Sequence, residues 1–406
     1  MSKPGVVVVG AGQAAVQLCL ALRKEKFDGP VTVFSEENQY PYHRPPLSKS
    51  YLLGKDDSSK LPMRPESFYA AKNVAMRLNE KITRVDPASR TVFSEAGEYH
   101  YDHLLLATGA RPRPLPINGS DLSGVCELRD VDHANAIAQG LRTAKSVVII
   151  GAGFIGLEVA SAARAMGKEV TVLDMADRVM ARAVAPQVST WFEQTHRAAG
   201  IDIRLGQRVT AIHGVDGAVA EVELPDGSRM EAQLVIIGVG VIPNTGLAEQ
   251  AGLACDNGIV VNEFCRTSDE AIFAAGDCAN HPNPFAGGRA VRLESIQNAT
   301  DQARVVAAGV AGNSKPYNSV PWFWSDQGAH SLQMTGLSFD ADNHVIRGNM
   351  DSGVFSVFHF KSEKLLAVDS INMPRDHMLA RKLLTAGISP AQEQVEDPGF
   401  ELKSLI

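Results

Sequence analysis

The chain has 406 residues, 45% of them hydrophobic and 21% charged, with a formal net charge of −7 at pH 7. That length exceeds what one ordinary hydrophobic core organises, so two or three domains are expected. The acidic balance disfavours a protein built on nucleic-acid phosphate contacts, and no apolar run approaches the roughly 18 residues of a membrane span.

The opening MSKPG runs at once into Val6–Val9, leaving no room for a secretory leader, so a cytoplasmic protein is expected. VVVVGAGQAAVQLCLALR reads as a buried strand, a glycine turn and a helix, with Val16, Cys19 and Leu20 facing inward at helical spacing. Gly10, Gly12 and Ala15 hold the fingerprint positions of a dinucleotide-binding turn. Gly10 permits the tight bend, Gly12 lets the backbone approach a pyrophosphate, and the small Ala15, next to Ala14, lets helix and strand pack closely. Phosphate would meet the helix N-terminus, where free N–H groups and the macrodipole favour negative charge. The next strand, VTVFSE, ends at Glu36, whose carboxylate can accept from two ribose hydroxyls.

The same pattern returns in SVVIIGAGFIGLEVASAARAMGKEVTVLD. Gly151, Gly153 and Gly156 hold the three glycine positions, Phe154 and Ile155 open the helix, and Asp174 supplies the acid. Each copy closes alike, HLLLATGARPRP against LVIIGVGVIPN, so the chain reads as an internal duplication. Asp174 predicts a preference for NADH over NADPH, with Arg178 and Arg182 the nearest cations for a 2′-phosphate. Farther on, TSDEAIFAAGDC puts Asp277 after a strand ending at Ala275 and Gly276, where a carboxylate can reach a sugar or ribityl hydroxyl. A helix is expected from about Gln297, carrying Ala299, Ala303 and Val306. Beyond Val320 the pattern is strand Val354–Phe360, turn, strand Leu365–Ile371 and a helix from Pro374 to Leu384. Cys19, Cys126, Cys255, Cys265 and Cys278 lie at least ten residues apart, which offers neither a CxxC redox pair nor a zinc knuckle. Buried, inert thiols are expected for most of the five, and no metal site.

The two fingerprints, with Ala107, Thr108, Gly109 and Asp277, resemble the pattern of FAD-dependent reductases with the glutathione-reductase fold, in which the NAD domain interrupts the flavin domain. The implied fold class is α/β: two Rossmann-like dinucleotide-binding domains, for FAD and for NAD, plus a small C-terminal α+β domain. The resemblance assigns residues 1–109 and 243–320 to FAD, 110–242 to NAD and 321–406 to the last domain. Members that work through a disulfide carry a cysteine pair beside the flavin, and NQYPYHRPPLSKSYL has none. Instead HRPPLSK (43–49), GLE (156–158), VRLESIQNA (291–299) and PWFWSDQ (321–327) resemble oxygenase-coupled ferredoxin reductases. That is the family of putidaredoxin reductase and of the reductase components of aromatic-ring dioxygenases.

This resemblance implies FAD and NAD(H) as cofactors and a [2Fe-2S] ferredoxin as acceptor, serving a cytochrome P-450 monooxygenase or a Rieske dioxygenase. A rubredoxin reductase is the alternative. Lys49, near flavin N5, would pair with Glu158 behind the nicotinamide. Arg44, Pro45, Ile82, Arg129, Gly276, Asp277, Ile296 and Trp324 would join the flavin contacts, with Gly240 at the second closing strand. The helix near Gln297 could aim its positive end at the flavin pyrimidine edge. A monomer or weak homodimer is expected. Arg289, Arg292, Arg304 and Lys315 are the candidate positive patch for an acidic ferredoxin.

Overall fold

The computed structural model describes residues 5–406, so Met1–Pro4, on which the reading of the chain's opening falls, lie outside the described residues. The chain divides into two compact units. One comprises Met1–His43, Pro62–Arg111 and Ile242–Phe323, and the other Arg44–Leu61, Pro112–Val241 and Trp324–Ile406.

The first unit is organised by a parallel sheet in the order Ile272–Ala274, His103–Leu106, Val6–Val9, Val31–Phe34, Val74–Arg77. Its middle strand is buried at every position, which explains why VVVV is an unbroken apolar run rather than an alternation. The helices Gln13–Lys24 and Ile296–Val310 bring Ala15, Leu18, Cys19 and Leu22 into one cluster with Ala299, Ala303 and Val306. The expected inward face of the first helix is thereby corrected. Val16 and Cys19 are buried, but Leu20 is only half-buried, because the buried arc is centred on Leu18 and Leu22.

The second unit repeats this plan. Its parallel sheet runs Asp202–Arg204, Glu169–Leu173, Ser146–Ile150, Leu234–Ile237, Val125–Glu127. In both units the strand before the glycine turn is central, flanked by the strand that leads to the acid and by the closing strand. Both also insert a three-stranded antiparallel sheet ahead of the closing strand: Ile82–Asp86, Thr91–Ser94, Gly97–His100 in one, and Ala211–Val215, Ala218–Glu223, Arg229–Glu231 in the other. The copies differ at the outer edge beside the closing strand. That place is filled by a later segment, Ile272–Ala274, in the first unit and by an earlier one, Val125–Glu127, in the second.

The C-terminal stretch forms a five-stranded sheet ordered Trp322–Gln327, His330–Gly336, Lys364–Ile371, Val354–Lys361, Asn343–Asn349, carrying the helix Pro374–Ala386. Phe358, Val368, Ala380 and Leu383 are buried within this stretch, while other buried residues of the sheet join a cluster that extends beyond it. Leu332, Phe355, Val357 and Ile371 belong to one apolar cluster with Val172, Val188, Phe192 and Ile236 of the nucleotide-binding part. Trp191 fastens the two, its Nε1 donating to the Met350 carbonyl at 2.8 Å and its ring meeting His330 and Phe355 edge-on. Leu52 joins the same cluster, so the segment Arg44–Leu61, which the sequence pattern assigns to the flavin domain, packs with the second unit. Side-chain contacts distant in sequence decide its placement. The final turn is pinned by Arg347, whose Nη atoms donate to the carbonyls of Val395, Asp397, Pro398 and Phe400.

His281 and His377 are among the buried histidines. Burial pushes His281 and His377 down to about 4, while an unfolded chain would bind their protons from pH 6.5 downward. Over that window the unfolded state holds more protons, so stability present above pH 6.5 is lost as pH falls towards 4. Urea unfolding followed across this range will show that loss, and the double variant His281→Phe, His377→Phe will show a shallower slope.

Candidate functional site

The first glycine turn has the geometry its residues predict. Gly10 has φ +101°, and a Cβ there would stand 2.2 Å from the Ala107 carbonyl oxygen, so the residue is forced by both backbone and neighbour. At Gly12 a Cβ would meet nothing within 4 Å, and no side chain caps the helix that starts at Gln13. A bare helix N-terminus reached by backbone alone fits a diphosphate. Ala14 and Ala15 are buried behind it. The closing strand is tied down next to the turn: Thr108 Oγ1 donates to the Asn244 carbonyl at 2.7 Å, and Asn244 Nδ2 donates to the Thr108 carbonyl at 2.8 Å. Gly109 has φ +65°. Gly276, with φ +84°, lies against Ala14 and Ala299. Asp277 follows it, and its carbonyl accepts from Arg292. Ile296 is the first residue of its helix, where Ser295 caps the Asn298 N–H at 3.0 Å. Glu36 lies two residues past its strand and pairs with Lys81 at 3.0 Å. The Ile82 side chain packs among Val85, Val92 and Tyr101, and its strand pairs it with Ser94.

The second turn is built the same way. Gly151 has φ +115° and faces the Gly238 carbonyl, Gly153 has open space at its Cβ position, and a Cβ on Gly156 would lie 2.0 Å from the Gly151 carbonyl oxygen. Phe154 and Ile155 open the helix Phe154–Ala165, again without a side-chain cap. Asp174 binds its own loop: Oδ2 accepts from the Ala152 N–H at 2.6 Å and Oδ1 from the Ala176 N–H at 2.8 Å. The acid therefore shapes the glycine turn, with lone pairs left over for a ribose hydroxyl. Arg178 is committed to the carbonyls of Ala181 and Val184 at 2.5 and 2.7 Å, which draws it away from any 2′-phosphate. Gly240 has φ +103° and lies beside the Arg182 guanidinium.

Within the second unit, Glu158 is the pivotal side chain. It lies on the second turn of the helix Phe154–Ala165 and is 3% exposed. A buried carboxylate is tolerated only when charge and hydrogen bonds compensate it. Here Lys49 Nζ stands 2.7 Å from Oε2, Ser48 Oγ donates to Oε2 at 2.5 Å, and Ser325 Oγ donates to Oε1 at 2.6 Å. The HRPPLSK segment supplies two of these donors through a short 3-10 turn. Pro45 and Pro46 preset its backbone, and the Lys49 N–H closes on the Pro46 carbonyl at 2.9 Å. Arg44 Nη1 donates to the Arg129 carbonyl at 2.7 Å, joining two further predicted residues. Trp324 precedes Ser325 on its strand and so faces the opposite side from it. Gln327 shares the buried face with Ser325 and reaches His196, which burial holds below its ordinary range. Sequence reading did not single out Ser48, Ser325, Gln327 or His196. Only Ser325 and Gln327 carried a signal, the two-residue spacing of polar side chains on a buried strand face.

All five cysteines are unbridged, and burial raises each above its ordinary range, Cys19 to about 12. Among the described residues no group of three or more His, Cys, Asp or Glu could hold a metal ion, and no helix is long and apolar enough to cross a membrane. The expected basic patch is weaker than the sequence suggested. Arg292 is paired with Glu294 and Arg304 with Asp301, both at 2.7 Å.

Twin diphosphate-ready turns and a buried Glu158 carboxylate paired with a half-buried Lys49 fit a nucleotide-dependent oxidoreductase. Residues 4–303 match the pyridine nucleotide-disulphide oxidoreductase family and residues 322–406 match the reductase C-terminal domain. The chain belongs to the pyridine nucleotide-disulphide oxidoreductase family, in its ferredoxin reductase branch. It is 46% identical to rhodocoxin reductase of Rhodococcus erythropolis, over 99% of this chain and 94% of that one. It is 42% identical to rubredoxin-NAD(+) reductase of Pseudomonas putida, over 91% of this chain and 96% of the relative. The crystal structure of a covalent putidaredoxin reductase–putidaredoxin complex superposes with a TM-score of 0.96 at 38% identity, covering 100% of this chain and 98% of that one. FAD and a nicotinamide dinucleotide are the cofactors of this family, and the two glycine turns fit them.

Asp174→Ala leaves the Ala152 and Ala176 N–H groups without their acceptor. The variant is expected to lose about 2 kcal/mol of unfolding free energy, with faster amide exchange at Ala152 and Ala176 as the local signature.

Proposed function

We propose that this protein is an NADH-dependent, FAD-containing reductase that delivers electrons to a [2Fe-2S] ferredoxin of a P-450 or Rieske oxygenase system. The observation that carries the reading is the Lys49–Glu158 pair, whose carboxylate is buried in a unit with a diphosphate-ready glycine turn and with a single cysteine, Cys126, whose thiol burial raises. When bound, FAD would supply the chemistry, hydride acceptance from NADH and release of electrons one at a time. The protein's part is binding, orientation and fixed charge. Gly10, Gly12 and Ala15 hold the flavin diphosphate, with Glu36 for its ribose and Ala107, Thr108, Gly109, Gly276, Asp277 and Ile296 along the cofactor. Gly151, Gly153, Gly156 and Asp174 hold NADH, and the engagement of Arg178 with its own loop supports NADH over NADPH. Lys49 and Glu158 are the catalytic pair, with Arg44, Pro45, Arg129 and Trp324 as neighbouring contacts on the same unit. We place it in a cytoplasmic carrier system, in keeping with its negative overall charge; among the described residues no helix is long and apolar enough to cross a membrane.

Rhodocoxin reductase and the reductase bound to putidaredoxin support an iron–sulphur protein as acceptor. The rubredoxin reductase relative, at 42% identity, supports a rubredoxin as the second reading. NADH-driven cytochrome c reduction separates them. A rate that rises at least about tenfold with a [2Fe-2S] ferredoxin, and little with rubredoxin or with NADPH as donor, is expected. A rate raised only by rubredoxin would replace the acceptor. The two turns are separable as well: Gly12→Val is expected to purify with little flavin, whereas Gly153→Val keeps its flavin and raises the KM for NADH at least about tenfold.

A further inference from the structure

Glu158 lies at one end of a string of buried polar groups contributed by three separate elements. Ser325 Oγ lies 2.6 Å from Glu158 Oε1, Gln327 Nε2 lies 3.2 Å from Ser325 Oγ, and His196 Nε2 lies 2.8 Å from Gln327 Oε1. All four residues are at most 4% exposed, so water does not stand in for a lost partner. The string can be polarised in only one direction. An ionised carboxylate accepts and never donates, so the single proton of Ser325 must point at Glu158. Ser325 Oγ must then accept, which turns the amide N–H of Gln327 towards it and the amide oxygen towards His196. The second N–H of Gln327 meets Met180 Sδ at 3.4 Å, so the amide has no freedom to flip without losing partners. His196 must in turn carry its proton on Nε2.

We infer that His196, acting through Gln327 and Ser325, is a positioning residue for Glu158, fixing the carboxylate's orientation and hydrogen bonding from the side opposite Lys49. The inference rests on the proposed role of Glu158 in hydride transfer and adds three residues to it. Lys49 and Ser48 both act on Oε2, so Oε1 has its contact through this string. Without it the carboxylate can rotate about its terminal bond, a soft torsion, and the Lys49 contact loses its fixed geometry. Oriented hydrogen bonds in series also strengthen one another in a low-dielectric interior, which favours a fully satisfied string over any of its parts.

The test compares His196→Phe, which fills the space without a donor, with His196→Gln, whose Nε2 can occupy the donor position. Ser325→Ala, which deletes one hydroxyl, serves as a third variant that does not depend on His196 substitutions folding. Two readouts are taken on the flavin-loaded protein. One is the infrared carboxylate band of Glu158, identified by its disappearance in Glu158→Gln. The other is the single-turnover rate of flavin reduction at saturating NADH without an acceptor, with the KM for NADH determined in parallel. His196→Phe and Ser325→Ala are expected to shift the band and slow reduction about tenfold, the equivalent of one buried hydrogen bond, with KM little changed. His196→Gln should restore both to within about twofold. An unshifted band and unchanged rate in folded His196→Phe and Ser325→Ala would overturn the inference, as would a His196→Gln variant no better than His196→Phe. If the parent protein itself shows no flavin reduction by NADH, the proposed function fails, while the infrared comparison still decides whether the string positions Glu158.

Discussion

The second unit depends on burying one negative charge. Glu158 is on a helix that could have been wholly apolar, and its presence commits the chain to bring Ser48, Lys49 and Ser325 to it from segments more than a hundred residues away on either side. Removing one partner from a buried ion pair costs about 3–5 kcal/mol, far more than such a pair contributes over an apolar replacement. The buried charge also explains why the Arg44–Leu61 segment and the C-terminal sheet pack in the same unit as the nucleotide-binding helix: the carboxylate's donors lie on them.

The duplicated architecture was legible in the sequence because its determinants are local. A strand, a glycine turn and a helix occupy about twenty consecutive residues, and each glycine answers to a neighbour close in the fold: Gly10 to the Ala107 carbonyl, Gly151 to the Gly238 carbonyl. The helix from Ile296 and the two strands and helix of the C-terminal stretch were equally readable from their periodicity. The family and its cofactors followed from motifs of the same local kind.

Features that depend on distant contacts were not legible. Nothing in HRPPLSK says that Ser48 meets Glu158 or that Leu52 enters the core of the second unit. The expected inward position of Leu20 failed because a second helix, nearly three hundred residues later, shifts the buried arc. Arg178, Arg292 and Arg304 look like available cations in the sequence, and although their partners are only two to six residues away, the side-chain geometry that engages them with carbonyls or an acid is not written in the residue pattern. His196 gave no signal at all, since its partner is a glutamine 131 positions away.

The family takes its name from disulphide chemistry, but this chain's five thiols are unbridged and raised in pKa, three of them fully buried and Cys126 and Cys255 half-buried, and the proposed function assigns the reaction to flavin and fixed charge. An anaerobic titration of the flavin-loaded protein with NADH tests that account most directly. The account predicts that bleaching is complete at a single equivalent of NADH per flavin, and that thiol alkylation beforehand leaves the end point unchanged. A second equivalent consumed, or an end point that alkylation removes, would reveal a thiol redox centre and contradict it.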